Sequence, residues 1–368
     1  MRAAPVEASW PRVCVVGPLP PPSGGMANQC EQLVRLLRQE GVSAELVRTN
    51  TPYSPGWVGH VPVLRALFRL LPYLWRLWRA CGRAQVVHVL ANSGWAWHLF
   101  AAPAVWMARA RDRAVIINYR GGLADSFFRA APRHVLATLR SAQVRVTPSS
   151  FLLRVFGQHG LDAEVIPNIV DLSRFGPAGR APDHAPHLIV TRNLEAIYDI
   201  PTALRAFADI RRTWPAARLT VAGSGPELAK LQAMVRELAL GEAVRFVGRI
   251  ENAQIPALYA QADCMLNPST ADNMPISILE ALASGVPVVS TNAGGIPDLV
   301  ADNETALLVP VGDAAAMAHA ALRVLGEPAL AQRLRYNGLA CAGHFAWPEV
   351  FDRWMSAYRR AASLCPRP

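Results

Sequence analysis

Asp272-Asn-Met-Pro-Ile-Ser-Ile-Leu-Glu280, continued by Ala281-Leu-Ala-Ser-Gly-Val-Pro-Val-Val-Ser290, passes from loop to helix to short apolar strand. Ser290-Thr291-Asn292 closes the strand, and Ala293-Gly294-Gly295 follows. A helix that begins near Pro275 to Ser277 turns unpaired backbone N–H groups and the positive end of its dipole toward whatever lies in front of it. Such a mouth suits a phosphate. Asp272 stands just outside it, where a carboxylate accepts from sugar hydroxyls. Glu280 lies about two turns further in, within reach of a ribose. The same pattern also describes a capped surface helix in an α/β domain.

Working outward, the same alternation of strand and helix fills the chain. Residues 12–17 form an apolar run ending in glycine, followed by Pro18-Leu-Pro-Pro-Pro-Ser-Gly24-Gly25-Met26 and a helical spacing from Ala27 to Glu40 that Gly41 stops. Further strands are expected at 44–48, 86–90, 115–118 and 144–148. Residues 176–187, with three prolines, two glycines and no apolar period, read as a linker. The alternation then restarts, with strands at 188–191, 218–222, 244–247 and 264–267 and helices at 201–214, 227–238 and 255–262. A closing helix spans 348–363. This is an α/β chain of two doubly wound parallel sheets. The expected domains are 1–175, 187–346 and a C-terminal helix, 347–368, packing back toward the first.

The 368 residues leave room for two cores, and 52% of them are apolar. The six cysteines are scattered without metal-ligand spacing, which suits a reducing compartment rather than a disulfide scaffold. Residues 1–12 lack the apolar centre of a signal peptide, and no charge-free run of about eighteen apolar residues is present. The net charge of +10 calls for an anionic partner. Nucleic acid is not expected, because no aromatic-and-basic recognition motif occurs. Residues 61–83 carry arginine at 65, 69, 76, 79 and 83 beside Trp75 and Trp78. That pattern fits an interfacial helix on an anionic membrane surface, and equally a packed helix with snorkelling arginines.

Other candidate residues sit where open α/β sheets bind ligands, after the carboxyl ends of strands. Gly24 and Gly25 would let backbone approach a phosphate or sugar without a Cβ between them. Arg192, after the first strand of the second half, would neutralise a diphosphate. Gly223-Ser-Gly225 and Arg249 follow the next two strands. His88, His98 and His134 lack metal spacing, and no G-x-S-x-G nucleophile signature is present.

With these pieces placed, the chain resembles the retaining glycosyltransferases of the two-Rossmann, GT-B type, family 4 (glycosyl transferases group 1). The resemblance is strongest from Val165 to Val309. It rests on Val165-Ile-Pro-Asn168-Ile-Val-Asp171, Arg192, Gly223-Ser-Gly225-Pro226, Gly248-Arg249, the E-x7-E element standing here as Asp272 to Glu280, Ala293-Gly-Gly295-Ile-Pro297-Asp298 and Phe345-Ala-Trp347. It implies two Rossmann-like domains facing across a cleft, the first for acceptor and the second for a nucleotide-sugar donor. It implies Gly24 and Gly25 beside the donor diphosphate, Arg192 on the diphosphate, Asp272 on sugar hydroxyls and Glu280 on the ribose. Met274, Ile276 and Ser277 would meet sugar and phosphate through backbone.

Three departures stand out. Asp272 replaces the first Glu of the pair. Tyr198 stands where the family usually has lysine. Arg120, in Asn118-Tyr-Arg120-Gly121-Gly122, occupies a place that is often histidine, and it could supply the missing charge from across the cleft. The resemblance implies transfer of a hexose to a hydroxyl of a glycan or lipid-linked saccharide with retained configuration, catalysed by Arg192, Asp272 and Arg120. No metal or other cofactor is expected, since no Asp-x-Asp pair occurs. The expected location is cytoplasmic, peripheral at the inner membrane face. The alternative is a non-catalytic nucleotide-sugar binder of the same fold.

Overall fold

The computed structural model describes residues 10–21, 24–51, 62–177 and 185–365. The chain divides into two compact units, Met1–Ile169 with Val350–Pro368, and Val170–Glu349.

The first unit is built on a parallel sheet of β1 (Val13–Gly17), β2 (Ala44–Arg48), β3 (Val86–Ala91), β4 (Ala114–Tyr119), β5 (Val144–Thr147) and β6 (Glu164–Val165). Their order is β2-β1-β3-β4-β5-β6. Every residue of β1, β3 and β4 is buried, which is why these strands read as continuous apolar runs rather than alternating ones. The two polar exceptions, His88 and Asn118, contact each other at 3.2 Å. His88 also meets the Tyr358 hydroxyl at 2.7 Å and lies against the Trp354 ring. Burial, aided by the charge of Arg120, pushes the His88 pKa down to about 3, so the ring is neutral. Tyr358 and Trp354 belong to the helix Trp347–Ser363, whose residues from Val350 onward group with this unit.

The second unit is built on β7 (His187–Val190), β8 (Arg218–Ala222), β9 (Val244–Gly248), β10 (Cys264–Asn267), β11 (Val288–Thr291) and β12 (Leu307–Val309), again parallel. Their order is β12-β11-β10-β7-β8-β9. One face packs the helices Ile200–Thr213 and Ala314–Gly326, with Phe207 and Met317 fully buried. Truncating a side chain such as Phe207 to alanine costs about 3–5 kcal/mol. The other face packs the helix Ile276–Ala283, with Ile278 and Leu279 fully buried.

The unit boundary falls earlier than the proline-rich linker suggests. Val170 donates to the Phe345 carbonyl at 2.9 Å, and Arg174 bonds to Asn252. Phe175 packs edge-on to Tyr259. Residues 170–175 therefore belong to the second unit, through contacts distant in sequence. Residues 178–184 of the expected linker lie outside the described residues, as do Pro22 and Ser23 of the first glycine loop. The sequence reading assigned no element after β11 until the closing helix. The structure places β12 and the helices Ala314–Gly326 and Pro328–Gly343 there.

Candidate functional site

In sequence order the second sheet runs 3-2-1-4-5-6, so the strand order reverses between β7 and β10. The crevice beyond the carboxyl ends of strands at such a reversal is where open α/β sheets bind ligands. Arg192 follows β7 and Asp272 follows β10, so both stand at this point. The Arg192 guanidinium donates to the Asp272 carboxylate. It also donates to the Ser277 hydroxyl at 3.1 Å, in the first turn of the helix Ile276–Ala283. The side chains of Arg192 and Asp272 are only 10% and 14% exposed. The guanidinium carbon lies 4.0 Å from the centre of the Tyr198 ring. Tyr198 thus gives the arginine a π face where relatives are expected to place a lysine. The Arg192 Nε is buried and has no hydrogen-bond partner.

Several bonds hold this arrangement. The loop from β10 to Asp272 is anchored by fully buried polar groups. The Asn267 amide donates to the Ser290 hydroxyl at 2.9 Å, and the Thr291 hydroxyl to the Ser269 carbonyl at 2.6 Å. Thr270 donates from both its N–H and its hydroxyl to the Ile197 carbonyl, tying this loop to the turn that carries Tyr198. The Asn273 N–H donates to the Asp272 carboxylate at 2.8 Å, and the Gly295 N–H to the Asp272 carbonyl at 2.9 Å. The helix Ile276–Ala283 starts with no side-chain cap, and while the Ile278 N–H donates to the Pro275 carbonyl, the N–H groups of Ile276 and Ser277 remain available to an anion.

Glu280 joins the cluster through Tyr259, a residue to which the sequence reading gave no role. The Tyr259 hydroxyl is fully buried. It donates to the Ser277 carbonyl at 2.9 Å, lies 3.3 Å from the Glu280 carboxyl and meets the Thr191 hydroxyl at 2.8 Å. The signal was a tyrosine on the inward side of the short helix Ile255–Tyr259, where a buried hydroxyl requires a polar partner. Burial pushes the Glu280 pKa up from 4.5 to about 7, against the Tyr259 hydrogen bond and the charges of Arg174 and Arg192, which pull it down. Between those two values the folded protein holds a proton that the unfolded chain has released. Stability contributed by this group is therefore full below about 4.5 and lost as pH rises through about 7. Thermal unfolding of the parent is expected to weaken across that window relative to Glu280→Gln, and parallel pH profiles for the two would contradict the assignment.

The remaining predicted residues fall as follows. Gly223 needs to be glycine for packing: a Cβ there would meet the Arg192 carbonyl oxygen at 2.0 Å. Its neighbour Gly225 abuts the Leu194 carbonyl in the same way, at 2.3 Å. These glycines bring the loop after β8 onto the loop carrying Arg192. Met274 is buried in the apolar cluster under the helix, and Ile276 is half-buried at its first position. Arg249 is exposed, directly after Gly248, whose carbonyl accepts from the Gly223 N–H at 2.8 Å.

Gly24, Gly25 and Arg120 belong to the first unit, whose own strand order reverses between β1 and β3. Gly25 opens the helix Gly25–Gln39 rather than lying in the loop before it. Gly24 is extended, and a Cβ on it would touch nothing within 4 Å. Arg120 donates from its backbone to the Ala91 carbonyl at 2.9 Å and from its guanidinium to Asn168. Burial lowers its pKa to about 10, which leaves it charged at neutral pH. Gly121 beside it lies against Asn92 and Ser93, the residues that follow β3.

The family described as Glycosyltransferase Family 4 matches residues 23–174, and Glycosyl transferases group 1 matches residues 177–340. The chain is 33% identical over 212 residues to a glycogen synthase from Mycobacterium tuberculosis, a match covering 57% of this chain and 51% of that one. It therefore spans about half the length of that relative. It is 26% identical over 373 residues to a GDP-mannose-dependent alpha-(1-6)-phosphatidylinositol monomannoside mannosyltransferase from Mycolicibacterium smegmatis, covering 88% and 91% of the two chains. Among solved structures, Anabaena HepE in complex with UDP and glucose superposes with a TM-score of 0.73 at 18% identity, over 95% of this chain and 99% of that one.

Proposed function

Because the chain is a family 4 glycosyltransferase of the GT-B fold, matched in both of its halves, we propose that it moves a hexose from a nucleoside-diphosphate sugar to a hydroxyl with the anomeric configuration retained. The observation that carries this reading is the bonded set Arg192, Asp272 and Ser277 at the β7/β10 reversal, with Glu280 one tyrosine away. In this reading the diphosphate lies on the first turn of the helix Ile276–Ala283 and on Arg192. Asp272, held as an acceptor by the Asn273 N–H, takes the sugar hydroxyls. Glu280 takes the ribose hydroxyls, which favour its ionised form, so donor affinity is expected to rise as pH increases through about 7.

Catalysis then consists mainly of positioning and of stabilising the charge that develops on the leaving diphosphate. The departing phosphate accepts the acceptor proton on the same face of the sugar, which retains the configuration without a covalent intermediate. The acceptor in this proposal is a glycan or a lipid-linked saccharide, bound by the first unit at the cytoplasmic side of a membrane during polysaccharide assembly. The likeness to HepE with UDP and to the GDP-mannose-dependent mannosyltransferase supports the donor class.

Thermal unfolding with a panel of UDP-, GDP- and ADP-sugars tests the proposal. Occupancy at about a hundred times Kd stabilises by about 2.7 kcal/mol, so one donor is expected to raise Tm by several degrees and to be turned over slowly. No shift with any donor would overturn the reading. Tyr198 in the lysine place favours one second reading, a donor binder without turnover. A donor that binds but yields no free nucleoside diphosphate across an acceptor panel would establish it.

A further inference from the structure

The helix Pro62–Arg83 carries two apolar stripes. Tyr73, Leu77, Ala80 and Cys81 are buried in the core of the first unit. Phe68, Leu71, Trp75 and Trp78 recur at intervals of three, four and three, which the helical period places roughly opposite. They remain 44%, 56%, 59% and 41% exposed. Arg76 and Arg79 fill the flank beside this second stripe and are exposed as well, while Arg83 pairs with Glu45. Arg79 lies over the Trp75 ring at 4.8 Å. Arg111, which follows the neighbouring helix Ala102–Ala110, lies over Trp78 at 4.0 Å. That helix packs beside the first. Between Glu45 and Asp112 the sequence contains eight arginines and no acidic residue.

Charge and shape together indicate what covers this face. An exposed apolar stripe of this size is not left to water without a role. A second copy of the chain would bring the same arginines against these, which repel. A rim with this excess of arginine is complementary to a surface of negative charge. Indoles with arginine alongside match the headgroup layer of a bilayer, where the ring sits at the boundary and the cation reaches the phosphates. Among the described residues no helix is long and apolar enough to cross a membrane, so this helix would lie along the surface.

We propose that the exposed face of the helix Pro62–Arg83 docks the first unit onto an anionic lipid bilayer. Trp75 and Trp78 insert at headgroup depth, and Arg76 and Arg79 contact lipid phosphates. The proposal uses none of the residues of the donor site and stands apart from the proposed reaction.

Flotation of the full chain with phosphatidylcholine vesicles, with and without phosphatidylglycerol, tests it. The protein is expected to float with the anionic vesicles at low salt, and to stay behind with neutral vesicles or at high salt. Each arginine near an anionic surface contributes about fivefold to partitioning, so Arg76→Glu with Arg79→Glu should reduce binding by well over tenfold. Trp75→Ala with Trp78→Ala should reduce it in vesicles of the same charge. Both variants alter exposed side chains, so their thermal unfolding should match the parent's. Absence of flotation, or flotation unchanged in both variants, overturns the proposal. So does a concentration-dependent dimer in sedimentation that the tryptophan variant abolishes, since the face would then be a contact between copies.

Discussion

Arg192→Ala is expected to lower sugar transfer by about 10²–10³-fold, the usual consequence of removing one preorganised donor from a developing negative charge. The residue makes three contacts at once: the Asp272 carboxylate, the Ser277 hydroxyl and the Tyr198 ring. Alanine loses all three and leaves Asp272 without its partner. Breaking a fully buried pair in this way costs about 3–5 kcal/mol, and the slight solvent access of both side chains makes the penalty smaller here. Arg192→Lys separates charge from shape. It keeps the cation but not the planar fork that reaches two acceptors together, so activity between those of parent and alanine variant is expected. Asp272→Asn combined with Arg192→Ala should lose less than the sum of the single losses, since the pair acts as a unit. Steady-state transfer with the donor found by the panel, together with thermal unfolding, reads each effect. An alanine variant that transfers at the parent rate would remove Arg192 from the site.

Gly294→Ala is expected to damage both the fold and the site. Gly294 has φ +57, and a Cβ on it would meet the Asp272 carbonyl oxygen at 2.1 Å. The next N–H, of Gly295, already donates to that same oxygen. A methyl group can enter only if the Asp272 backbone moves, which breaks this bond and pulls the carboxylate away from Arg192. The strained conformation and the overpacking together cost about 3 kcal/mol, or roughly a 10 °C fall in Tm for a unit of this size. Donor binding should be lost even where the fold survives. Gly24→Ala is the matched control, because its backbone is extended and its Cβ would touch nothing; a stability change within about 0.5 kcal/mol is expected. Equal unfolding temperatures for the two variants would show that the Gly294 turn does not constrain Asp272.

Much of this is legible in the sequence, for a local reason. A strand buried on both faces is apolar along most of its length, and β1, β3, β7 and β10 announce themselves as such runs. The chain must turn where they end, so glycines and polar residues cluster at their carboxyl ends. Ser277 and Glu280 share one helix, and their relation follows from helical spacing, with Asp272 in the loop just before it. The resemblance to a family implies roles for Arg192 and its neighbours on the strength of motifs.

Pairing between distant residues was decided only by the fold. Arg192 and Asp272 meet because the crossover connections set β10 beside β7 at the reversal of strand order, and no periodicity in the chain records which strand becomes whose neighbour. The same holds for Tyr259, which reaches Thr191, Ser277 and Glu280 from a helix that looks like ordinary packing. It holds for Gly223, whose missing side chain answers a carbonyl of Arg192. Residues 170–175 join the second unit through Phe345 and Tyr259 despite preceding the linker. Sequence determines which face of each element is buried, because burial acts on every residue where it stands. The tertiary structure determines which polar groups face one another, because that depends on contacts made only once the sheets have closed.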